Sequence, residues 1–158
     1  MIQIHNDTDF KRALMNMNTD QQRVVAAKFV AHVLPLSADE RLQRVVKTAS
    51  DTQSSEDELS SALKSARAAT FDSHARCGSD ANWADQAGYF VARAAVAAIT
   101  PRAQSKAVGV AWQAAMSSRM ARTSVLIEDE MSDLPELAEN EWQYRTLSDF
   151  LTTMEQSN

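Results

Sequence analysis

Apolar side chains recur along this chain at intervals of three and four residues, the period of an amphipathic α-helix rather than of a β-strand. The pattern is clearest in three alanine-rich segments, which favour close approach of helix axes. We therefore expect an all-α bundle with these three helices at its centre and the remaining helices closing over them. The three stripes consist of Leu59, Leu63, Ala66, Thr70, His74 and Cys77; of Trp83, Ala87, Phe90, Ala94 and Ala97; and of Ala103, Ala107, Val110 and Ala114.

Capping signals divide the chain into about six or seven helices. Thr100-Pro101 is typical of a helix start, because proline has no N–H to leave unpaired there. Gly78 is typical of a helix end, and Asp133 with Pro135 of a last start. The predicted helices run from about 8–17, 20–34, 38–50, 56–77, 80–99, 101–126 and 135–154. Three pairs match the capping box: Thr19 with Gln22, Ser37 with Glu40, and Ser55 with Glu58.

The composition is typical of one helical domain covering residues 1–158. Three glycines and three prolines are too few for the turns of a β fold or for a domain linker. The formal net charge of −5 argues against a general nucleic-acid or membrane-surface binder. The most apolar stretch, 87–99, is too short to span a bilayer and contains Arg93. With a single cysteine and no secretory start, we expect a soluble cytoplasmic protein.

No residue pattern predicts a metal, a cofactor or a catalytic group. The histidines His5, His32 and His74 stand apart and form no E-x-x-H pair of the di-iron type, and the glycines are isolated from one another. The acidic runs 56–58 and 128–130 lie at helix ends, where solvated caps are a simpler interpretation than metal sites. Cys77 follows His74 by one turn, but no acid is placed to orient the imidazole, so we favour simple packing. We favour a non-enzymatic role and leave an enzyme open.

Arginines inside the apolar helices are the least conventional feature of the pattern. In one interpretation each stem lies along the surface with its guanidinium in water. In the other, Arg67 and Arg93 meet Asp72 or Asp85 in a polar pocket between the fourth and fifth helices. We favour the first, with Arg93 the best candidate for an exception. The arginines are Arg67, Arg76, Arg93, Arg119 and Arg122, and the candidate pocket would be lined by Arg93, His74, Arg67, Trp83, Tyr89 and Trp112.

Three segments carry a resemblance to a known family: HVLPLSADERLQRVVKTA at 32–49, ARAATFDSHARC at 66–77, and ADQAGYFVARAAVAAITPRAQSKAVGVAWQAA at 84–115. Their order resembles bacterial all-helical proteins of the toxin-immunity type, which place a VLP-L helix end before a D-x-R helix and two alanine-rich helices. The resemblance implies non-enzymatic protein binding and assigns no functional residue. Histidines that the family carries around the later proline are absent here, where Ile99, Thr100 and Arg102 stand.

Two classes of function therefore remain, and we favour the first. An immunity-type module would offer its acidic segments, 51–58 and 128–139, to a basic toxin such as a nuclease. A small-molecule-binding bundle or enzyme would use the pocket described above. Self-association is compatible with both, because the last helix could dock on the core or on a second copy through Trp142, Leu147, Phe150 and Leu151.

Overall fold

The computed structural model describes residues 3–77, 83–101, 104, 109–128 and 135–156. Within these residues the chain forms seven α-helices and a short 3-10 helix, with no strand, which confirms the all-α class. The helices are α1 (Asp7–Met15), α2 (Thr19–Val33), the 3-10 helix Leu34–Leu36, α3 (Arg41–Ser50), α4 (Glu56–Cys77), α5 (Trp83–Ile99), α6 (Val110–Glu128) and α7 (Pro135–Gln156). None of the described helices is both long enough and apolar enough to cross a membrane.

The alanine-rich helix α5 lies at the centre of the bundle. It packs most extensively against α6 and α4, as the alanine pattern predicts, because small side chains let the helix axes approach closely. Its other side meets α2 and α3. The helix α2 is more central than the sequence suggests, since Val25, Phe29, Val30 and Val33 are fully buried. All seven helices contribute to one apolar core, as a single domain requires.

The last helix docks on the chain's own core. Leu147 is fully buried, and Trp142, Phe150 and Leu151 pack against the same apolar cluster. Of the two positions that the sequence left open for these side chains, the structure therefore places them on the core of this chain.

Local capping rules explain two helix starts. The predicted box at Ser55 and Glu58 is confirmed, because each residue's backbone N–H donates to the other's side chain, at 3.2 and 3.1 Å. The box at the start of α2 lies one residue earlier than predicted. It joins Asn18 and Gln21, whose reciprocal hydrogen bonds measure 3.0 and 2.9 Å, because the amide oxygen of asparagine reaches the third helical N–H as well as a threonine hydroxyl does.

Two other predicted starts are wrong. The helix α3 begins after Glu40, and Ser37 Oγ instead accepts a hydrogen bond from the Asp39 N–H at 3.1 Å. Thr100 does not cap α6, because α6 begins at Val110; the Thr100 hydroxyl donates back to the Val96 carbonyl at 2.6 Å.

The helix α6 begins at Val110, directly after Gly109, whose φ of +88° favours glycine. An added Cβ at Gly109 would come within 2.7 Å of Gln22 Oε1, the end of a flexible side chain that can move aside, so the positive φ is what favours glycine here. The predicted signals at Gly78, at Asp80 and at Asp133 lie outside the described residues, as do Ala103 and Ala107.

Candidate functional site

A solvent-open pocket of about 570 Å³ lies where α4, α5 and α6 meet. Each helix contributes one stripe at helical spacing: positions 67, 70, 71 and 74 of α4; 89, 93, 96, 97 and 100 of α5; and 110, 113 and 117 of α6. Residues three, four and seven apart share one helix face, so the three faces converge on one space. The lining consists of Arg67, Thr70, Phe71, His74, Tyr89, Arg93, Val96, Ala97, Thr100, Gln104, Val110, Gln113 and Ser117.

The charged side chains among the described lining residues of this pocket are both arginines. Arg67 and Arg93 line it, and no aspartate or glutamate is among its described lining residues. Neither arginine forms an ion pair within the described residues, and both are exposed at the mouth. The carboxylates that the sequence offered as partners lie elsewhere. Asp72 accepts a hydrogen bond from Arg41 at 2.9 Å, and Asp85 lines a different cavity. The pocket of this acidic protein is therefore locally positive.

Aromatic rings form one side of the pocket mouth. The Arg93 guanidinium carbon lies 5.7 Å from the centroid of the Tyr89 ring, within cation–π distance. The His74 ring lies 5.5 Å from the same tyrosine ring. Phe71 is 74% exposed, an unusual position for a large apolar side chain. The Tyr89 ring therefore contacts both a histidine and an arginine of the pocket lining.

Gln113 has an unsatisfied amide inside the protein. Its Nε2 atom is buried and has no hydrogen-bond partner in the described structure. An unpaired buried donor of this kind costs about 1–3 kcal/mol. Asn140 Oδ1 is also buried without a partner, but Asn140 is not among the residues that line the pocket. Because the Nε2 atom itself is buried, an occupant of the open pocket does not reach it in this conformation.

The threonine hydroxyls of the pocket are already used as donors. Thr70 Oγ1 donates to the Ala66 carbonyl at 2.8 Å, and Thr100 Oγ1 donates to the Val96 carbonyl. The donors that remain for an occupant are therefore the guanidinium groups of Arg67 and Arg93, the hydroxyls of Tyr89 and Ser117, the Gln104 amide and the His74 ring.

Four of the six residues predicted for a pocket line this one: Arg67, His74, Tyr89 and Arg93. Trp112 instead faces α1, where its ring lies 6.2 Å from that of Phe10. Successive helical residues point about 100° apart, so Trp112 and its neighbour Gln113 face different sides of α6. Trp83 is half-buried at the start of α5, on a face that does not reach the pocket.

Sequence reasoning missed Phe71 and Gln113 as pocket residues. The spacing of Arg67, Phe71 and His74 at four and three residues could have placed Phe71 on this face of α4. For Gln113 no local signal was available, because its unpaired state is a property of the packed structure.

Arg119, rather than Arg93, is largely buried and paired. Its side chain is 11% exposed, and its terminal nitrogens donate to both carboxylate oxygens of Asp7 at 3.0 and 2.9 Å. Its Nε donates to Gln143 Oε1 at 2.8 Å, and the Tyr144 hydroxyl donates to Asp7 Oδ1 at 2.7 Å. These four residues, the Asp7–Arg119 cluster, tie α1, α6 and α7 together. The prediction that Arg93 is the exception is wrong, because its face of α5 opens on solvent.

The electrostatics of the Asp7–Arg119 cluster follow from these hydrogen bonds. The Arg119 guanidinium, which donates to the Asp7 carboxylate, holds the pKa of that carboxyl below its usual range. Burial and the neighbouring Asp7 carboxylate raise the pKa of Tyr144 to about 12. The tyrosine is therefore a hydrogen-bond donor at every physiological pH.

One of the two predicted acidic contact segments is partly inside the protein. Glu139 is buried, accepts from Arg122 Nε at 3.4 Å, and lies 2.9 Å from His32 Nδ1. The His32 ring stacks on Trp142, with centroids 3.5 Å apart. Residues 129–134 of that segment lie outside the described residues. Glu139 is therefore engaged within the fold, unlike the exposed run 56–58 at the start of α4.

No metal site or nucleophile pair emerges from the geometry that can be described. Within the described ranges, no group of three or more histidine, cysteine, aspartate or glutamate residues could hold a metal ion. The side chain of Cys77 lies outside the described part of the chain, so its pairing with His74 stays a hypothesis.

Comparisons with protein-family models, with curated proteins and with solved structures find no match to this chain. The fold and the site define its class: an all-α protein with an open cationic pocket between its three alanine-rich helices.

Proposed function

We propose that this protein binds a small organic molecule in the pocket between α4, α5 and α6. The observation that carries the proposal is the joint lining of one open pocket by two arginines without ion pairs and by buried apolar residues. The volume of about 570 Å³ also lies within the range of small-molecule pockets.

The distribution of polarity supports an organic molecule rather than a bare ion. Buried Ala97 and Val110 and the half-buried Val96 supply apolar surface to the pocket. The charged groups, Arg67 and Arg93, are exposed at its mouth. Ligand pockets commonly combine an apolar wall with a few placed polar groups, because the wall supplies affinity and the polar groups supply orientation.

A blocking substitution tests this proposal. Ser117 is half-buried on the α6 wall, so Ser117→Trp would place a large ring in the pocket. Met120→Trp is the matched control, because Met120 lies on the same helix, is 50% exposed and does not line the pocket. Ligand-observed NMR with a library of aromatic and aliphatic fragments should detect binders to the native chain and to Met120→Trp, and lose them in Ser117→Trp.

Circular dichroism melts of the variants show whether each is folded. Fragments that bind a folded Ser117→Trp as well as they bind the native chain would contradict the proposal. A native chain that binds no fragment of the library would contradict it as well.

A second candidate is the protein-binding module of the toxin-immunity type, which the family resemblance implies. Its support is the start of α4, where Glu56 and Asp57 are exposed and form no ion pair within the described residues. A basic partner would be attracted to this surface and to the net charge of −5. The acidic surface is also what a solvated helix N-terminus requires, so we rank this candidate second.

Charge reversal tests the second candidate. Glu56→Lys with Asp57→Lys should weaken a complex with a basic protein encoded beside this chain's gene, mainly by slowing association. Glu155→Lys, at an exposed position of α7, is the control. A complex that forms equally well after both reversals would contradict an acidic contact surface at α4.

A further inference from the structure

We infer that the ligand of the α4–α5–α6 pocket is an amphiphilic organic oxyanion, with its carboxylate or phosphate held by Arg67 and Arg93. This inference rests on the proposed small-molecule function and names the chemical class of the ligand. It goes beyond that function, because a pocket of the same size could equally have been built for a neutral or a cationic molecule.

The first argument is the charge of the lining. The chain carries 21 acidic and 16 basic residues, yet the described pocket lining holds two arginines and no carboxylate. Two guanidinium groups on one pocket repel each other unless an anion lies between them. A molecule with a carboxylate or phosphate at its outer end would relieve that repulsion, whereas a cation would increase it.

The second argument comes from the other arginines that stand beside cavities or in the core. Arg41 donates to Asp39 and Asp72, and Arg119 donates to Asp7, so those guanidinium groups are already neutralised within the protein. A second cavity is lined by Arg41, Arg44 and Arg76. It is also lined by Asp39, Glu40 and Asp85, so its charges balance. Arg67 and Arg93, by contrast, line the same pocket and form no ion pair within the described residues.

The third argument is the chemistry of the guanidinium itself. Its planar array of donors matches the two oxygens of a carboxylate or the several oxygens of a phosphate, often with two parallel hydrogen bonds. Tyr89 lies below Arg93 at cation–π distance and limits the positions available to that side chain. Such restriction lowers the conformational entropy lost when the guanidinium binds an anion.

The inner end of the ligand follows from the rest of the lining. Ala97 and Val110 are buried apolar contacts, so the body of the molecule is apolar. The ligand class is therefore an oxyanion with an apolar body.

An isosteric pair of probes isolates the charge. 2-Naphthoate and 2-naphthamide have nearly the same shape and differ in net charge, and 2-naphthyl phosphate distinguishes a phosphate from a carboxylate preference. Titration calorimetry of the native chain should give an affinity for at least one of the two anions about tenfold or more above that of the amide. Raising the salt concentration should reduce the difference, because exposed charges are screened.

Charge-removing variants complete the test. Arg67→Gln and Arg93→Gln should each weaken anion binding by about three- to tenfold, since the sites are partly exposed, and leave naphthamide binding within about twofold. Arg145→Gln is the matched control, because Arg145 is exposed on α7 and lies outside the pocket. Melting temperatures of the variants identify any loss caused by misfolding rather than by loss of charge.

The outcomes separate the two proposals. Equal affinity for naphthamide and both anions, abolished by Ser117→Trp, would overturn the anion inference and leave the small-molecule function standing. Anion binding that survives both arginine substitutions would also overturn the inference. Failure of all three probes and of the fragment library would overturn both proposals.

Discussion

Arg119 and Arg93 both interrupt alanine-rich helices, but the structure surrounds them in opposite ways. Arg119 is nearly buried, bonded to both oxygens of Asp7 and to Gln143. Arg93 is exposed, and its guanidinium lies over the Tyr89 ring. The first arginine is satisfied by the protein itself, whereas the second keeps its donors available.

This difference distinguishes an arginine that is bonded within the fold from an arginine that is available to bind a ligand. Burying a guanidinium costs several kcal/mol, about the amount that good pairing can return, so the intact pair adds little net stability, whereas removing one partner leaves the other uncompensated. An exposed guanidinium without an ion pair destabilises the fold little and remains able to bind an anion. Substitutions in the two regions should therefore have opposite consequences for stability and for binding.

The largest expected effect on stability is at Arg119. Replacing it with methionine keeps most of the stem but removes the donors to Asp7 and Gln143. We expect the free energy of unfolding to fall by about 2–3 kcal/mol, less than for a fully buried pair because Asp7 still reaches water. Urea denaturation followed by circular dichroism measures the change. Arg145→Met on the exposed face of α7 is the control, and an equal loss in that variant would contradict a special role for the cluster.

Tyr144→Phe should cost about 1 kcal/mol, the contribution of a single hydrogen bond. The substitution removes the 2.7 Å bond to Asp7 and keeps the aromatic ring in place. In a spectrophotometric titration, the native chain should show a tyrosinate transition near pH 12 that is absent from the variant. If that transition persists in Tyr144→Phe, it does not belong to this residue.

Gln113→Leu should raise the free energy of unfolding by about 1 kcal/mol, because it removes a buried donor without a partner. Thermal unfolding of the ligand-free protein gives the measurement. A clear loss of stability instead would indicate that the amide has a hydrogen-bond partner in solution.

Acid should destabilise the native chain partly through Asp7. Its pKa is lowered by folding, so the folded state binds fewer protons than the unfolded state as the pH falls below about 5. The contribution of Asp7 is present above its unfolded pKa and is lost as the pH falls through the lower folded value. It should stay under about 1 kcal/mol, because Asp7 is 46% exposed and water screens the pair.

The comparison variant for acid unfolding is Asp7→Asn. It should be less stable than the native chain at neutral pH, and the two should converge as the pH falls. Asp39, whose pKa is lowered by the hydrogen bonds from Arg41, titrates in the same direction in both proteins and cancels from the difference. Parallel stability curves for the two proteins across the acid range would contradict a paired Asp7.

The smallest expected effect on stability is in the pocket. Arg93→Ala and Arg67→Ala should change the free energy of unfolding by no more than about 0.5 kcal/mol, as is usual for exposed positions. The same urea denaturation applies, so the two regions are compared on one scale. A loss of stability approaching that of Arg119→Met would show that these side chains stabilise the fold. It would contradict the difference between the Asp7–Arg119 cluster and the pocket arginines.

Much of the secondary structure could be predicted because its causes are local. The start of α4 follows from Ser55 and Glu58, which are three residues apart and satisfy each other's backbone. The start of α6 could not, because Thr100-Pro101 is typical of a helix start, yet α6 begins at Val110 after the positive φ of Gly109. The Ser37 and Thr100 hydroxyls each bond to a nearby backbone group instead, so a capping motif is reliable only where no other local group competes for the hydroxyl.

The candidate site was only partly visible in the sequence. Arg67 and His74, seven residues apart, share a face of α4 by helical period alone. Trp112 was misplaced because α6 carries small or apolar residues on several faces, so its pattern does not show which face meets α1 and which meets the pocket.

By itself the sequence determined the all-α class, the alanine-rich centre and the helical faces, because backbone hydrogen bonding and side-chain period act over a few residues. Only the tertiary structure decided which arginine is paired. Asp7 meets Arg119 across more than a hundred residues of chain, and no local pattern encodes that encounter. It also decided that Arg67 and Arg93 are left without a carboxylate, since an unpaired charge is defined by all the neighbours that packing places around it.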